Sequence, residues 1–287
     1  MTVSVSATAV PRTALVTGAS RGIGKAVSIA LARAGYDVAI TARTVNEGDA
    51  SSIAPETGQS LPGSLATTAA EIEQHGVRAV SVPLDLLELD SLSSAVDAAV
   101  QGLGGRLDVL VNNAIYVGAG NERLFAECTS DNLAKRVTGN ITAQLFITQR
   151  ALQHMLDNEP DGAGHRGTVC DITSGAGQST PRSPVGQGGW PLAYSVTKAG
   201  FHRIADMLMV EYGEHGIHAF NVNPGFVATE RVVAAGAQLE FVAKHGITPE
   251  VIGAAIAHLI DDPSVPNGGY VQAFDTARAL GLAAARS

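Results

Sequence analysis

Thr17-Gly-Ala-Ser-Arg-Gly-Ile-Gly24 is the stretch on which the fold is decided. It follows the short β-branched run Thr13-Ala-Leu-Val-Thr17 and opens a segment of helical period, Gly22 to Ala34. Glycine adopts backbone conformations closed to other residues and lets the chain approach a bound group closely. Gly18, Gly22 and Gly24 between a strand and a helix therefore make a turn whose helix N-terminus faces an anion. A bare glycine triplet says little, but in this context it points to the pyrophosphate of a dinucleotide, the plain alternative being a tight turn without a ligand. Ser20, Arg21 and Ile23 complete the turn and join the glycines as candidate cofactor contacts.

The same alternation extends outward through the chain. Strand-like runs fall at Asp37 to Thr41, Ala79 to Leu84, Leu107 to Val111, Thr168 to Ile172, Ile217 to Val222 and Gly269 to Ala273. Segments of helical period separate them: Ser64 to His75, Ser91 to Gln101, a long stretch ending near Leu156, and Leu192 to Tyr212. Strands apolar on both faces and divided by helices require a parallel sheet covered on two sides, which is the doubly wound α/β (Rossmann) architecture. A single domain over residues 12–287 is expected, preceded by a flexible leader, residues 1–11, without the basic start and long apolar core of a secretory signal. Two stretches rich in Gly, Ser and Pro look inserted, one near 46–63 and one near 175–190. The second starts beyond the carboxyl end of a strand, where ligands bind, and is read as shaping a substrate entrance.

Composition narrows the function. Of 287 residues, 45% are hydrophobic and 16% charged, enough apolar material for a sizeable core. A formal net charge of −8, without a basic stripe, disfavours nucleic acid and anionic membrane surfaces as partners. No apolar run is long enough to span a bilayer. Two cysteines, Cys128 and Cys170, cannot frame a domain of this size and fit a reducing, cytoplasmic compartment. No Cys/His spacing calls for a metal.

At the end of the second strand, a dinucleotide site that prefers an unphosphorylated ribose places a carboxylate. Here Thr41-Ala42-Arg43 offers a guanidinium instead, so NADP(H) is preferred, with Arg21 as a second cation and NAD(H) still possible. Asp85 and Leu86 after the third strand are candidate adenine contacts, helix capping by Asp85 being the alternative. Asn112 and Ala114 after the fourth are candidate ribose contacts or a plain turn.

Tyr194 and Lys198 lie four positions apart in Ala-Tyr-Ser-Val-Thr-Lys and so share a helix face. The ammonium is expected to sit beneath the phenol and favour its ionised form. A free tyrosine titrates near ~10, so reaching neutrality takes roughly 3 to 4 kcal/mol of differential interaction.

Together with Asn140, Ser174 and Asn223-Pro-Gly-Phe-Val-Ala-Thr229, these motifs closely resemble those of the short-chain dehydrogenase/reductase family, in its compact single-domain branch. The match runs from Thr17 to Thr229 in the family's order. The resemblance implies an NADP(H)-dependent oxidoreductase interconverting a ketone or aldehyde and an alcohol. Tyr194 would be the general acid/base, Lys198 would lower its pKa and hold the nicotinamide ribose, Ser174 would hydrogen-bond the substrate oxygen, and Asn140 would support a relay water. Pro224, Gly225, Val227 and Thr229 would contact the nicotinamide carboxamide and the pyrophosphate. It also implies a homodimer or homotetramer. The chemically distinct alternative is a catalytically idle NADP(H)-binding sensor or scaffold, against which the complete Tyr, Lys, Ser and Asn set argues. Three features depart from the family pattern: Ile115 stands where glycine is usual after Asn-Asn-Ala, the Ser174 to Tyr194 interval is long, and the tail lacks the common acidic double-glycine ending.

Other residues receive structural readings. His75, His215 and His245 precede glycines at helix ends, where a cation favours terminal carbonyls. Cys170 lies in an apolar strand. Trp190 either lines the substrate pocket or anchors the second insertion. The surrounding mixture of apolar residues and glycine points to a hydrophobic small-molecule carbonyl or alcohol as substrate.

Overall fold

Strand and helix alternate along the chain as the hydrophobic pattern requires. The computed structural model describes residues 11–54, 57–118, 123–236 and 239–283. The leader, except Pro11, lies outside them. The order is β1 (Thr13–Thr17), α1 (Gly22–Arg33), β2 (Asp37–Ala42), α2 (Leu65–Glu73), β3 (Ala79–Pro83), α3 (Leu89–Gly102), β4 (Val109–Asn112), α4 (Ser130–Val137), α5 (Ala143–Leu156), β5 (Gly167–Ile172), α6 (Leu192–Tyr212) and β6 (Ile217–Asn223). Then come α7 (Glu230–Ala234), α8 (Glu240–His245), α9 (Pro249–Asp261), β7 (Tyr270–Gln272) and α10 (Ala273–Ala279).

All strand pairs are parallel, in the order β3-β2-β1-β4-β5-β6-β7. Alternate residues feed two cores. Val16, Ile40, Val111, Ile172 and Val222 face one layer with Val27, Leu31 and Ile256. Leu15, Leu110, Val169 and Ala219 face the other, with Val96, Ile147, Phe201 and Leu208. That is why the strands read as unbroken apolar runs.

Several elements differ from the sequence reading, the short helices α7 and α10 among them. The long central stretch is two helices, α4 and α5, joined by a π turn over Thr138–Thr142. Helix α9 was not anticipated; Thr248 followed by Pro249 at its first turn is a start signal that the glycine- and proline-rich surroundings obscured. The first insertion, within its described residues, is folded onto the glycine turn. Arg21 donates to the carbonyls of Leu61 (3.4 Å), Pro62 (2.9 Å) and Gly63 (2.7 Å), while Asp49 accepts from the Val45 and Asn46 amides.

Helices α1 and α9 approach where Gly253 meets Ala26. A Cβ on Gly253 would stand 2.5 to 2.8 Å from the Ala26 backbone and side chain. Gly253→Leu is expected to lower stability by about 1–3 kcal/mol through overpacking, read as a lower urea midpoint with an unchanged slope.

Candidate active site

Sheet order reverses direction between β1 and β4, and a cleft of about 250 Å³ opens beyond the carboxyl ends of these strands. Asn113 shapes its floor. Its Nδ2 donates to the carbonyls of Thr17 (2.8 Å) and Gly18 (3.2 Å), while Thr17 Oγ1 accepts from the amides of Asn113 and Ala114, both at 3.0 Å. Gly18 and Gly22 have φ of 68° and 58°. A Cβ on Gly24 would lie 2.4 Å from both Asn113 Nδ2 and the Gly18 carbonyl oxygen. The first turn of α1 has no side-chain cap and no acidic residue, leaving its N–H groups directed at the cleft. This cradle fits a dinucleotide pyrophosphate.

Of the expected cofactor contacts, Gly18, Ser20, Arg21, Gly22 and Ile23 line the cleft, as do Arg43, Asp85, Leu86, Ala114 and Thr229. Gly24 lies behind the wall as a packing residue. Asn112 does not reach it: the side chain is fully buried and donates to Thr148 and Asp171 on the sheet face, because strand alternation turns it inward and presents Asn113 instead. Pro224, Gly225 and Val227 are not part of the wall. Val227 is bridged to Ile247 and buried. Arg21, read as a second phosphate cation, directs its donors to the insertion's carbonyls. Thr44, Ser51, Glu230 and Arg231 line the cleft without having been singled out, although Glu230 and Arg231 directly follow the Thr229 motif. Burial lowers the Arg21 pKa first, and the Arg231 and Arg43 charges press it further down, so three guanidinium groups share this end of the cleft. Asp85 accepts from the Leu87 amide (3.0 Å) and stands 4.0 Å from Arg43.

The second cluster forms where β5 ends. Ser174 follows the strand and Tyr194 and Lys198 lie on the first turns of α6. Ser174 Oγ accepts from the Ala176 amide (3.2 Å), and the Ser174 hydroxyl stands next to the Tyr194 phenol and favours its ionised form. Lys198 Nζ donates to the Ile172 carbonyl (2.7 Å). Lys198 and Asn140 both line a small cavity of about 10 Å³, the room of about one water molecule.

Two expectations about these residues are corrected. Burial raises the Tyr194 pKa above its ordinary value, opposed only by Ser174. The shared helix face is real, but the flexible lysine reaches to the strand end rather than the phenol. Burial also depresses Lys198 to about 8, with Asp171 opposing. The Asn140 side chain is spent on the next loop: Oδ1 accepts from the Tyr116 amide (2.7 Å) and Nδ2 donates to its carbonyl (2.9 Å).

The long second insertion does not separate the hydroxyls. Its start, Gly175–Gly177, is a 3₁₀ turn laid against α6, where a Cβ on Gly177 would lie 2.7 Å and 2.8 Å from the Lys198 carbonyl carbon and oxygen. Gln178 reaches His202 at 2.6 Å, and the remainder loops outward, with Trp190 half-buried at its end. His75, His215 and His245 are exposed at helix ends, and Cys170 is fully buried. Among the described residues there is no His/Cys/Asp/Glu cluster suited to a metal and no helix long and apolar enough to cross a membrane.

A family profile described as short chain dehydrogenase matches residues 12–240. The chain is similar to glucose 1-dehydrogenase 2 of Bacillus subtilis (strain 168), 28% identical over 258 residues that cover 88% of each chain. It is also similar to an L-rhamnose 1-dehydrogenase (NAD(P)(+)) of Sphingomonas sp. (strain SKA58), 32% identical over 219 residues, 76% of this chain and 74% of that one. Among solved structures, the 3-oxoacyl-[acyl-carrier protein] reductase from Brucella melitensis in complex with NAD matches with a TM-score of 0.74 and 25% identity over 92% of this chain and 95% of that one.

The Gly177 contact generates a direct test of how the hydroxyls are brought together. Gly177→Ala must push the turn from α6 and is expected to lower kcat at least about tenfold with about 1–3 kcal/mol lost stability, while the dissociation constant for the reduced nicotinamide cofactor, read by fluorescence, changes little.

Proposed function

Because this chain belongs to the short-chain dehydrogenase/reductase family, we propose that it reduces a small carbonyl compound to its alcohol, and the reverse, with NADP(H) and with Tyr194 as the proton donor. The observation carrying this is the Ser174–Tyr194 hydroxyl pair beside the buried Lys198. The bound nicotinamide supplies or accepts the hydride. Ser174 Oγ accepts from Ala176, which leaves its proton free to donate to a substrate oxygen. Tyr194 carries its proton at neutral pH because burial holds its pKa up, so it is ready as an acid for carbonyl reduction. Lys198 holds positive charge behind the hydroxyl pair, favouring the oxyanion as it develops. In the oxidative direction Tyr194 must first lose its proton.

At the adenosine end, Arg43, with Thr44 and Ser51 beside it, supports a 2′-phosphate, and the nearby Arg21 and Arg231 add positive potential. The carboxylate that would favour an unphosphorylated ribose is absent from the end of β2. Asp85 tempers this field from the neighbouring strand end. The relatives' names include sugar and acyl-carrier substrates. The apolar Ile115, which lines both cavities, and the exposed Phe226 favour a substrate with an apolar portion.

Tyr194→Phe is expected to lower kcat by about 10²- to 10⁴-fold while NADPH binding, measured by fluorescence, stays near wild type. In the wild type, alcohol oxidation should climb as pH rises through neutrality and fall again on the alkaline side as Lys198, lowered to about 8, loses its proton, while carbonyl reduction should stay level through neutrality and fall only above it. An active phenylalanine variant overturns the assignment.

Steady-state kinetics should give a higher kcat/KM with NADP+ than with NAD+. Arg43→Ala should raise KM for NADPH about tenfold or more with little change in kcat. Equal or better use of NAD(H) by the wild type overturns the preference.

A further inference from the structure

Behind the hydroxyl pair lies a polar row that the reaction as described does not use. Asn112 of β4, Asp171 of β5 and Asn221 of β6 are register neighbours, and all three are 0% exposed. Their side chains share the sheet face covered by α5 and α6. Asn112 Nδ2 donates to Thr148 Oγ1 on α5 (2.8 Å) and to Asp171 Oδ1 (2.9 Å), and Asn221 Nδ2 donates to the His202 carbonyl on α6 (3.0 Å). Asn112 Oδ1, Asp171 Oδ2 and Asn221 Oδ1 have no hydrogen-bond partner. Three buried acceptors in one row, one of them an acid, are costly unless a cation or a proton answers them. Lys198 reaches the same place: its Nζ is bound to the carbonyl of Ile172, the residue next to Asp171, and its side chain passes over Phe201.

We propose that Asp171 is a positioning residue for Lys198, its carboxylate holding the lysine in its charged form behind Ser174 and Tyr194. The proposal rests on the oxidoreductase reading of that site and adds a residue to it. Burial raises the Asp171 pKa to about 7 against the opposing pull of Asn112 and Lys198. Burial lowers Lys198 to about 8, and the charge of Asp171 opposes that fall. Of the titratable groups on the packed elements, Lys198 and Asp206 on α6 and Cys170 on β5 bear on Asp171. Asp206 acts against ionisation of Asp171. The neighbours named from β4, α5 and β6 are uncharged: Asn112, Thr148 and Asn221. The sign follows. Above pH 7 an ionised Asp171 helps Lys198 keep its proton, so removing the carboxylate makes the lysine lose it at lower pH.

Asp171→Asn keeps the shape and the acceptor for Asn112. The alkaline limb of the kcat profile for alcohol oxidation is expected to move down by about one pH unit, a tenfold loss of ammonium on its far side. A profile superimposable on wild type overturns the proposal, including when the variant is less stable. If Asp171→Asn does not fold, Asn112→Ala takes its place: with one donor to the carboxylate gone, the limb must move the same way by a smaller amount, and an unmoved limb overturns the proposal. A second readout needs no turnover. Infrared titration of the protonated carboxyl band in the wild type and in Lys198→Met should show the Asp171 midpoint rising when the lysine charge is removed. An unchanged midpoint sinks the coupling. Absence of any carbonyl or alcohol turnover in the wild type would instead sink the functional reading while leaving this measurement decisive.

Discussion

A buried ammonium must find acceptors inside the protein, and the hydrogen bond from Lys198 to the Ile172 carbonyl meets that demand at 2.7 Å. Its two ends belong to the elements that matter most, since Ile172 closes β5 and Lys198 stands on the second turn of α6. The bond ties the helix to the strand end, so Ser174, two residues past Ile172, and Tyr194, one turn before Lys198, are brought to the same place. Gly177 works to the same end by letting the chain after Ser174 lie against the helix backbone. The convergence of the two hydroxyls thus follows from burying a charge and omitting a Cβ, and the length of the insertion hardly matters.

A similar economy governs the other end of the cleft. Asn113 satisfies the carbonyls of Thr17 and Gly18 while the Thr17 hydroxyl accepts from the chain after β4, which locks the two strand ends at the point where sheet order reverses. The cleft's positive character comes from guanidinium groups that serve different purposes. Arg21 is committed to the insertion's carbonyls and contributes to a ligand through its field. Arg43 occupies the position at the end of β2 where ribose chemistry is discriminated. Charge at a site and contact at a site are separate properties, and sequence position alone reports only the first.

The fold was legible because its strands are apolar on both faces and its turns are marked by glycine. All seven strands and the helices that flank β1 to β6 lie close to where periodicity put them. Helix α9 was missed because its neighbours read as loop. Site residues were legible to the degree that their roles depend on spacing. Tyr194 and Lys198 share a helix face as four-residue spacing requires, yet the lysine's direction depends on which acceptor lies within its reach, and that is a tertiary fact. Asn112 and Asn113 are adjacent and chemically identical, but pleat alternation sends one into the sheet and the other to the cleft. The Asn140 amide is consumed by the backbone of Tyr116, a partner distant in sequence that no motif reveals.

Burial sets the resting protonation of the hydroxyl site as well as its geometry. Desolvation disfavours charge on every group it encloses, raising the phenol and the aspartic acid and lowering the lysine, so the three are pushed toward neutral forms together. A site so biased rests as a proton donor, which suits the addition of a proton to an oxygen gaining charge. The reverse direction asks the same pocket to hold a phenolate, and only a nearby cation makes that affordable. Burial brings the Asp171 carboxyl up and the Lys198 ammonium down toward each other, and each acts on the other, so their protons belong to the pair. Direction of catalysis and pH are therefore linked through the polar row beneath the helices as much as through the residues that meet the substrate.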